Sequence, residues 1–211
     1  MAGSDTTATA VQSTLLAIIS NPPVYGKLRA EIDTAVAHSL VSLPIQNNEA
    51  ARLRYLSACV LEGLRKHPPV AQLRERMAPP EGDYIHGFRI PGGTCIGFNT
   101  WGLQMNQIFG EDPAIFRPER WLIDDVECLS SMHRTLDLVF GHGSTRCLGT
   151  PIAMTELNKI IFEVCHHLVR PAIGRGWTDG EVALKALRHH DNRSTATPKE
   201  YLLRDLLPGR L

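Results

Sequence analysis

One cysteine in this chain stands where it could serve as a metal ligand. Phe140-Gly141-His142-Gly143-Ser144-Thr145-Arg146-Cys147-Leu148-Gly149-Thr150-Pro151-Ile152-Ala153 sets Cys147 in a glycine-rich stretch just ahead of a helical pattern. Glycines let backbone approach a flat ligand closely and adopt angles closed to other residues. A helix amino terminus offers unpaired N–H groups and partial positive charge, and both favour a thiolate. Arg146 adds a neighbouring cation. A buried structural cysteine is the plain alternative, and it leaves the surrounding string unexplained. A cysteine nucleophile paired with His142 or His133 is another.

Glu62-Gly63-Leu64-Arg65 carries a second constellation. Residues three apart share a helix face, so Glu62 and Arg65 can pair, although in isolation such a pair is usually a solvated surface contact. Phe116-Arg117-Pro118-Glu119-Arg120-Trp121 brings another arginine further along. Near the start, Ala2-Gly3-Ser4-Asp5-Thr6-Thr7 is polar within an apolar helical pattern. Asp5 and Thr6 could pass protons through water, or Ser4 or Asp5 could simply cap a helix. Arg76, in Leu73-Arg74-Glu75-Arg76, is either an anion contact or a surface arginine. The histidine pairs His166-His167 and His189-His190 show no zinc-type spacing with the cysteines.

The elements that must hold these residues are mostly helical. Residues 2–19 form an apolar helical run closed by Asn21-Pro22-Pro23. Val24, Leu28, Ile32 and Val36 predict a second helix over 24–38. Leu53, Leu56, Val60, Leu61 and Leu64 predict a third over 49–66, ended by His67-Pro68-Pro69. Residues 87–96 read as short strands around a Pro-Gly turn, and 101–146 read as loop. A fourth helix follows Cys147 as far as residue 169, and from Pro171 onward no element is patterned.

Together these strings resemble the cytochrome P-450 family. Phe140, Gly143, Cys147 and Gly149 match its haem loop, Phe-x-x-Gly-x-(Arg/His)-x-Cys-x-Gly, and Ala153 and Glu156 continue the match. Thr145 departs from it, since the family most often has a basic residue there and Arg146 stands one position late. Glu62 and Arg65 with Pro118-Glu119-Arg120 match the family's charged motifs, and Ala2–Thr7 resembles its distal-helix motif, all in the family's order. The phrasing of the motifs is most similar to fungal members.

The resemblance implies a fold that is mainly α with short β strands: the carboxy-terminal haem-binding part of the P-450 fold, truncated at the amino terminus. That domain would cover 1–169, with an atypical tail over 170–211 that could lack order. The resemblance further implies haem b with Cys147 as thiolate ligand. Gly3, Arg76, Phe140, Gly143, Arg146 and Gly149 would surround the haem, and Asp5 and Thr6 would lie on a proton path. Glu62, Arg65 and Arg120 would form a scaffolding network. The implied activity inserts one oxygen atom of O2 into a small organic substrate, with electrons from NADPH through a reductase. The alternative is a non-catalytic truncated remnant that binds haem weakly or not at all. Full-length relatives would sit on the cytoplasmic face of the endoplasmic reticulum membrane, held by an amino-terminal anchor expected to be missing here.

Composition excludes other classes. Lys plus Arg (22) balance Asp plus Glu (22), so no overall field draws nucleic acid. Five scattered cysteines, none in a Cys-x-x-Cys pair, fit reduced thiols inside a cell. No apolar run approaches the roughly 18 residues that a bilayer requires, and no signal-peptide pattern opens the chain.

Overall fold

Two prolines set the first corner of the molecule. Helix α1 (Ala2–Ile19) ends just before them, and Pro22 and Pro23 open α2 (Pro22–Ala37). Proline's fixed φ suits a first helical turn, where an N–H would have no intrahelical partner anyway. The structure, a computed structural model, describes residues 2–168, so the tail expected over 170–211 lies outside the described residues. Helix α2 buries Val24, Leu28, Ile32 and Ala35, the stripe that its spacing predicts.

The single helix expected over 49–66 is in fact two, α3 (Asn47–Ala50) and α4 (Arg54–Lys66). The chain breaks at Leu53, which is extended with φ −77° and ψ 100°. Glu31 on α2 accepts the N–H groups of Tyr55 at 2.8 Å and Leu56 at 2.9 Å. A carboxylate from a neighbouring helix therefore caps α4, meeting free donors and the positive end of the helix dipole. Helix α4 is central and packs against α1, α2 and α7 (Thr150–Glu163) through Leu56, Val60 and Leu64. At Gly63 the crossing with α1 is so close that a Cβ would stand 2.0 Å from Thr14 Oγ1. Only glycine fits there.

Two small sheets follow. β1 (Leu73–Met77) pairs antiparallel with β4 (Cys95–Asn99), with Arg74 opposite Phe98 and Arg76 opposite Ile96. β2 (Asp83–Ile85) and β3 (Phe88–Ile90) form a hairpin. Its two-residue turn, His86-Gly87, has φ of 50° and 82°, the left-handed pair that matches strand twist. The strands expected around 87–96 exist, but the Pro-Gly turn joins strands of different sheets and pairs neither.

The stretch expected to be loop contains α5 (Thr100–Gln104) and the longer α6 (Val126–Asp137). Asp125 caps α6 by accepting the Cys128 N–H at 2.9 Å. Only Met132 and Leu136 are buried along α6, so its apolar stripe is too thin to stand out in the sequence. Helix α7 begins three residues after Cys147 and continues in a π turn to Leu168, as expected. Among the described residues no helix is long and apolar enough to cross a membrane.

Candidate functional site

Cys147 is fixed by its backbone and open at its side chain. Its N–H donates to the Phe140 carbonyl at 2.8 Å, and its own carbonyl accepts from Thr150 Oγ1 at 2.8 Å. Between those points the chain bends at Gly141 (φ 83°) and Gly143 (φ 69°), conformations that side chains resist. Cys147 and Leu148 face solvent, Leu148 at 98 % exposure. Gly149, where a Cβ would lie 3.7 Å from Cys147 Sγ, leads into α7. Cys59 and Cys165 make the contrast: both are fully buried, and burial pushes both thiols up, Cys165 to about 12. Such buried thiols stay protonated at neutral pH and make poor ligands. No hydrogen bond joins Cys147 Sγ to a histidine among the described residues, and His133 instead lies against Trp121, ring centroids 5.2 Å apart.

Two arginines reach this loop from β1, and a third belongs to it. Arg76, from β1, donates to Thr145 Oγ1, so it stands over the loop at the position where the family pattern usually has a base. Arg146 turns to Asp137 at the end of α6, 3.2 Å away, with both side chains more than half exposed. Arg74, which the sequence reading did not single out, donates to the Val139 carbonyl at 2.6 Å. Its signal was strand alternation, because residues two apart on β1 share a face and Arg76 was already a candidate.

Between α4 and the 117–121 segment lies the charged cluster expected from the motifs. Arg65 holds Glu62 with two bonds, Nε to Oε2 at 2.9 Å and Nη2 to Oε1 at 2.8 Å. Arg120 Nε reaches Glu62 Oε1 at 2.9 Å. The Arg117 N–H and Trp121 Nε1 complete the carboxylate, each at 2.9 Å. Glu62 and Arg65 are fully buried and Arg120 is 4 % exposed. Two guanidiniums face one carboxylate, and the surplus positive charge is met by the carbonyls of Gln104, Phe109, Asp112 and Ile115. Arg65 also lies over the Phe109 ring, 5.2 Å from its centroid. Burial pushes the Glu62 carboxyl up, but the Arg65 bonds, then the Arg117 N–H and Arg120, outweigh it and hold it below the usual carboxylate range. Trp121 and the Arg117 backbone were missed by the sequence reading, since a donor from a turn leaves no motif.

At the other end of the chain, Gly3, Asp5 and Thr6 lie in the first turns of α1. Ser4 and Asp5 sit inside the helix and do not hold its cap position. Gly3 and Asp5 are exposed and Thr6 is half-buried, and a Cβ added at Gly3 would meet nothing within 4 Å.

These residues fit a haem. A flat apolar macrocycle with two carboxylates needs a solvent-facing ligand atom, an apolar surround and cations at its edge. Cys147 supplies the first, Leu148, Ile152 and Phe140 the second, and Arg76 the third. Gly143, where a Cβ would find open space, keeps the loop free of bulk.

Comparison with known proteins agrees. The family model for cytochrome P-450 matches residues 1–168. The cytochrome P-450 monooxygenase ABA1 of Pyricularia oryzae is 46 % identical over 166 residues, 78 % of this chain and 32 % of that protein. Its counterpart aba1 of Botryotinia fuckeliana is 41 % identical over 165 residues, again 78 % and 32 % of the two chains. The monooxygenase cicH of Emericella nidulans is 35 % identical over 204 residues, 96 % of this chain and 39 % of its own. This chain belongs to the cytochrome P-450 family, with fungal relatives. It spans between 32 % and 39 % of the length of these curated relatives.

Proposed function

We propose that the full-length protein is a haem-thiolate monooxygenase in which Cys147 is the iron ligand. The observation that carries this is the presentation of Cys147: backbone bonded on both sides, side chain exposed, on a double-glycine bend ahead of α7. When bound, haem b supplies the activation of O2 and transfer of one oxygen atom to a small organic substrate.

The chain's residues do the rest. Cys147 would hold the haem iron through its sulfur, and the amino-terminal end of α7 favours its negative charge. Arg76 would pair with a haem carboxylate, and Phe140, Gly143 and Gly149 would line the haem beside Cys147. Arg146 would add a cation beside the haem on leaving its exposed Asp137 partner. Gly3 would leave room beside the haem, and Asp5 and Thr6 would hold protons for delivery through water. The Glu62–Arg65–Arg120 cluster touches no reacting atom and keeps the loop in place. Electrons come from NADPH through a reductase, and the full-length protein works inside the cell, anchored at the endoplasmic reticulum.

Reduced, haem-loaded protein treated with carbon monoxide should give a strongly red-shifted, thiolate-type Soret band that Cys147→Ser abolishes. A band indifferent to that substitution would sink the assignment. Oxidation of organic substrates with NADPH and a reductase then separates an enzyme from a haem binder, and absence of turnover in the full-length protein argues against the monooxygenase reading.

A further inference from the structure

Strand β1 reaches the Cys147 loop with two side chains, and only Arg76 has a role in the reading above. Arg74 grips the loop's other limb. Its Nη2 donates to the Val139 carbonyl at 2.6 Å, and its Nη1 lies 3.3 Å from where a Gly141 side chain would begin. These two contacts flank Phe140, whose carbonyl accepts the N–H of Cys147 at 2.8 Å. Gly141 is in the left-handed region (φ 83°) and has no side chain with which to pack. Inside the loop the Gly141 N–H donates to the Leu138 carbonyl at 3.0 Å, and an outside contact adds to that hold where glycine has the most conformational freedom to regain.

The support is itself well founded. Gly97 on β4 lets the two strands close up, a Cβ there lying 3.2 Å from the Arg74 carbonyl group. Arg74 has no ion-pair partner among the described residues, and its Nε is buried without a hydrogen-bond partner. A half-buried guanidinium so arranged is held for its contact with the loop and not by a counter-charge.

We propose that Arg74 is a positioning residue for the Cys147 ligand, clamping backbone 139–141 and so fixing the Phe140 carbonyl that holds the Cys147 N–H. This deepens, and rests on, the reading of Cys147 as the haem ligand. Arg74 touches no reacting atom and acts through the loop.

Hydrogen exchange on the full 211-residue chain without haem tests the clamp directly. In Arg74→Met, amide exchange over residues 140–147 should quicken about tenfold, as expected for losing a charge-assisted bond, while α4 exchanges as in the wild type. Arg74→Lys should fall between, since a single ammonium cannot both reach Val139 and cover Gly141. Unchanged loop exchange overturns the proposal. So does equal quickening in α4, which would make Arg74 a general stabiliser. If Arg74→Met does not accumulate folded, Arg74→Lys carries the measurement, with a several-fold acceleration expected and none overturning it. With haem bound, Arg74→Met should raise the thiol-type share of the carbon monoxide band several-fold. A wild type with no thiolate-type band would remove the ligand reading, and the exchange result would still decide the clamp.

Discussion

At Glu62 the chain answers its own charges; at Cys147 it fixes a backbone and leaves the side chain to something else. The Glu62 carboxylate accepts five hydrogen bonds, and its two arginines give their remaining donors to four carbonyls. Glu62 and Arg65 are fully buried there and Arg120 nearly so. Around Cys147, Gly143, Leu148 and Arg146 are exposed, and the bonds that define the loop are backbone bonds or come from β1. A buried charge is tolerable only when every partner is present, and that makes the cluster a rigid reference. A ligand-presenting loop must keep its reactive atom unsatisfied until the ligand arrives. The same molecule thus separates the residues that hold from the residues that bind.

The contrast can be pressed hardest at the buried end. Glu62→Ala strands two buried guanidiniums and should lower the unfolding free energy by about 3–5 kcal/mol, read from urea titration. The pH dependence follows from the same group. Its folded carboxyl lies below the ordinary range near about 4.3, so its contribution is complete at neutral pH and fades as pH falls through and below that range. Urea titrations from pH 7 downward should therefore show a steeper acid loss in the wild type than in Glu62→Gln. Equal slopes would mean the cluster is not coupled to folding.

Next in size, Gly63→Ala drives a methyl into Thr14 and should cost about 1–3 kcal/mol. Adding Thr14→Ala should return part of that loss, a non-additivity that a double-mutant cycle measures. The smallest effects belong to the loop. Cys147→Ser and Arg146→Ala should each change the stability of the haem-free protein by less than about 0.5 kcal/mol, since one side chain is exposed and the other makes an exposed ion pair. A loss at Cys147 comparable with that at Glu62 would erase the distinction between the two regions.

How far these features could be read in advance depended on whether their cause was local. Asn21-Pro22-Pro23, the Val24–Leu28–Ile32 stripe and the glycine-rich string at Cys147 act within a few residues, and each appears where expected. The long helix over 49–66 was misread because its break is capped by Glu31, more than twenty positions away in sequence. The strand partners of 87–96 were hidden because residue types mark strands and turns without naming which strand lies beside which. Helix α6 was missed because most of its faces meet water.

What the residues determined by themselves was an inventory: a cysteine ahead of a helix, an acid and a base one turn apart, a second arginine downstream. Their order also fixed the family. Tertiary structure alone decided that Glu62, Arg65 and Arg120 are dry, that Thr14 leaves no space at residue 63, and that Arg74 lies against Gly141. Burial and close approach are properties of two chain segments at once, and the forces that act over them depend on distance in space. No position along a string carries that distance, so only the folded chain could supply it.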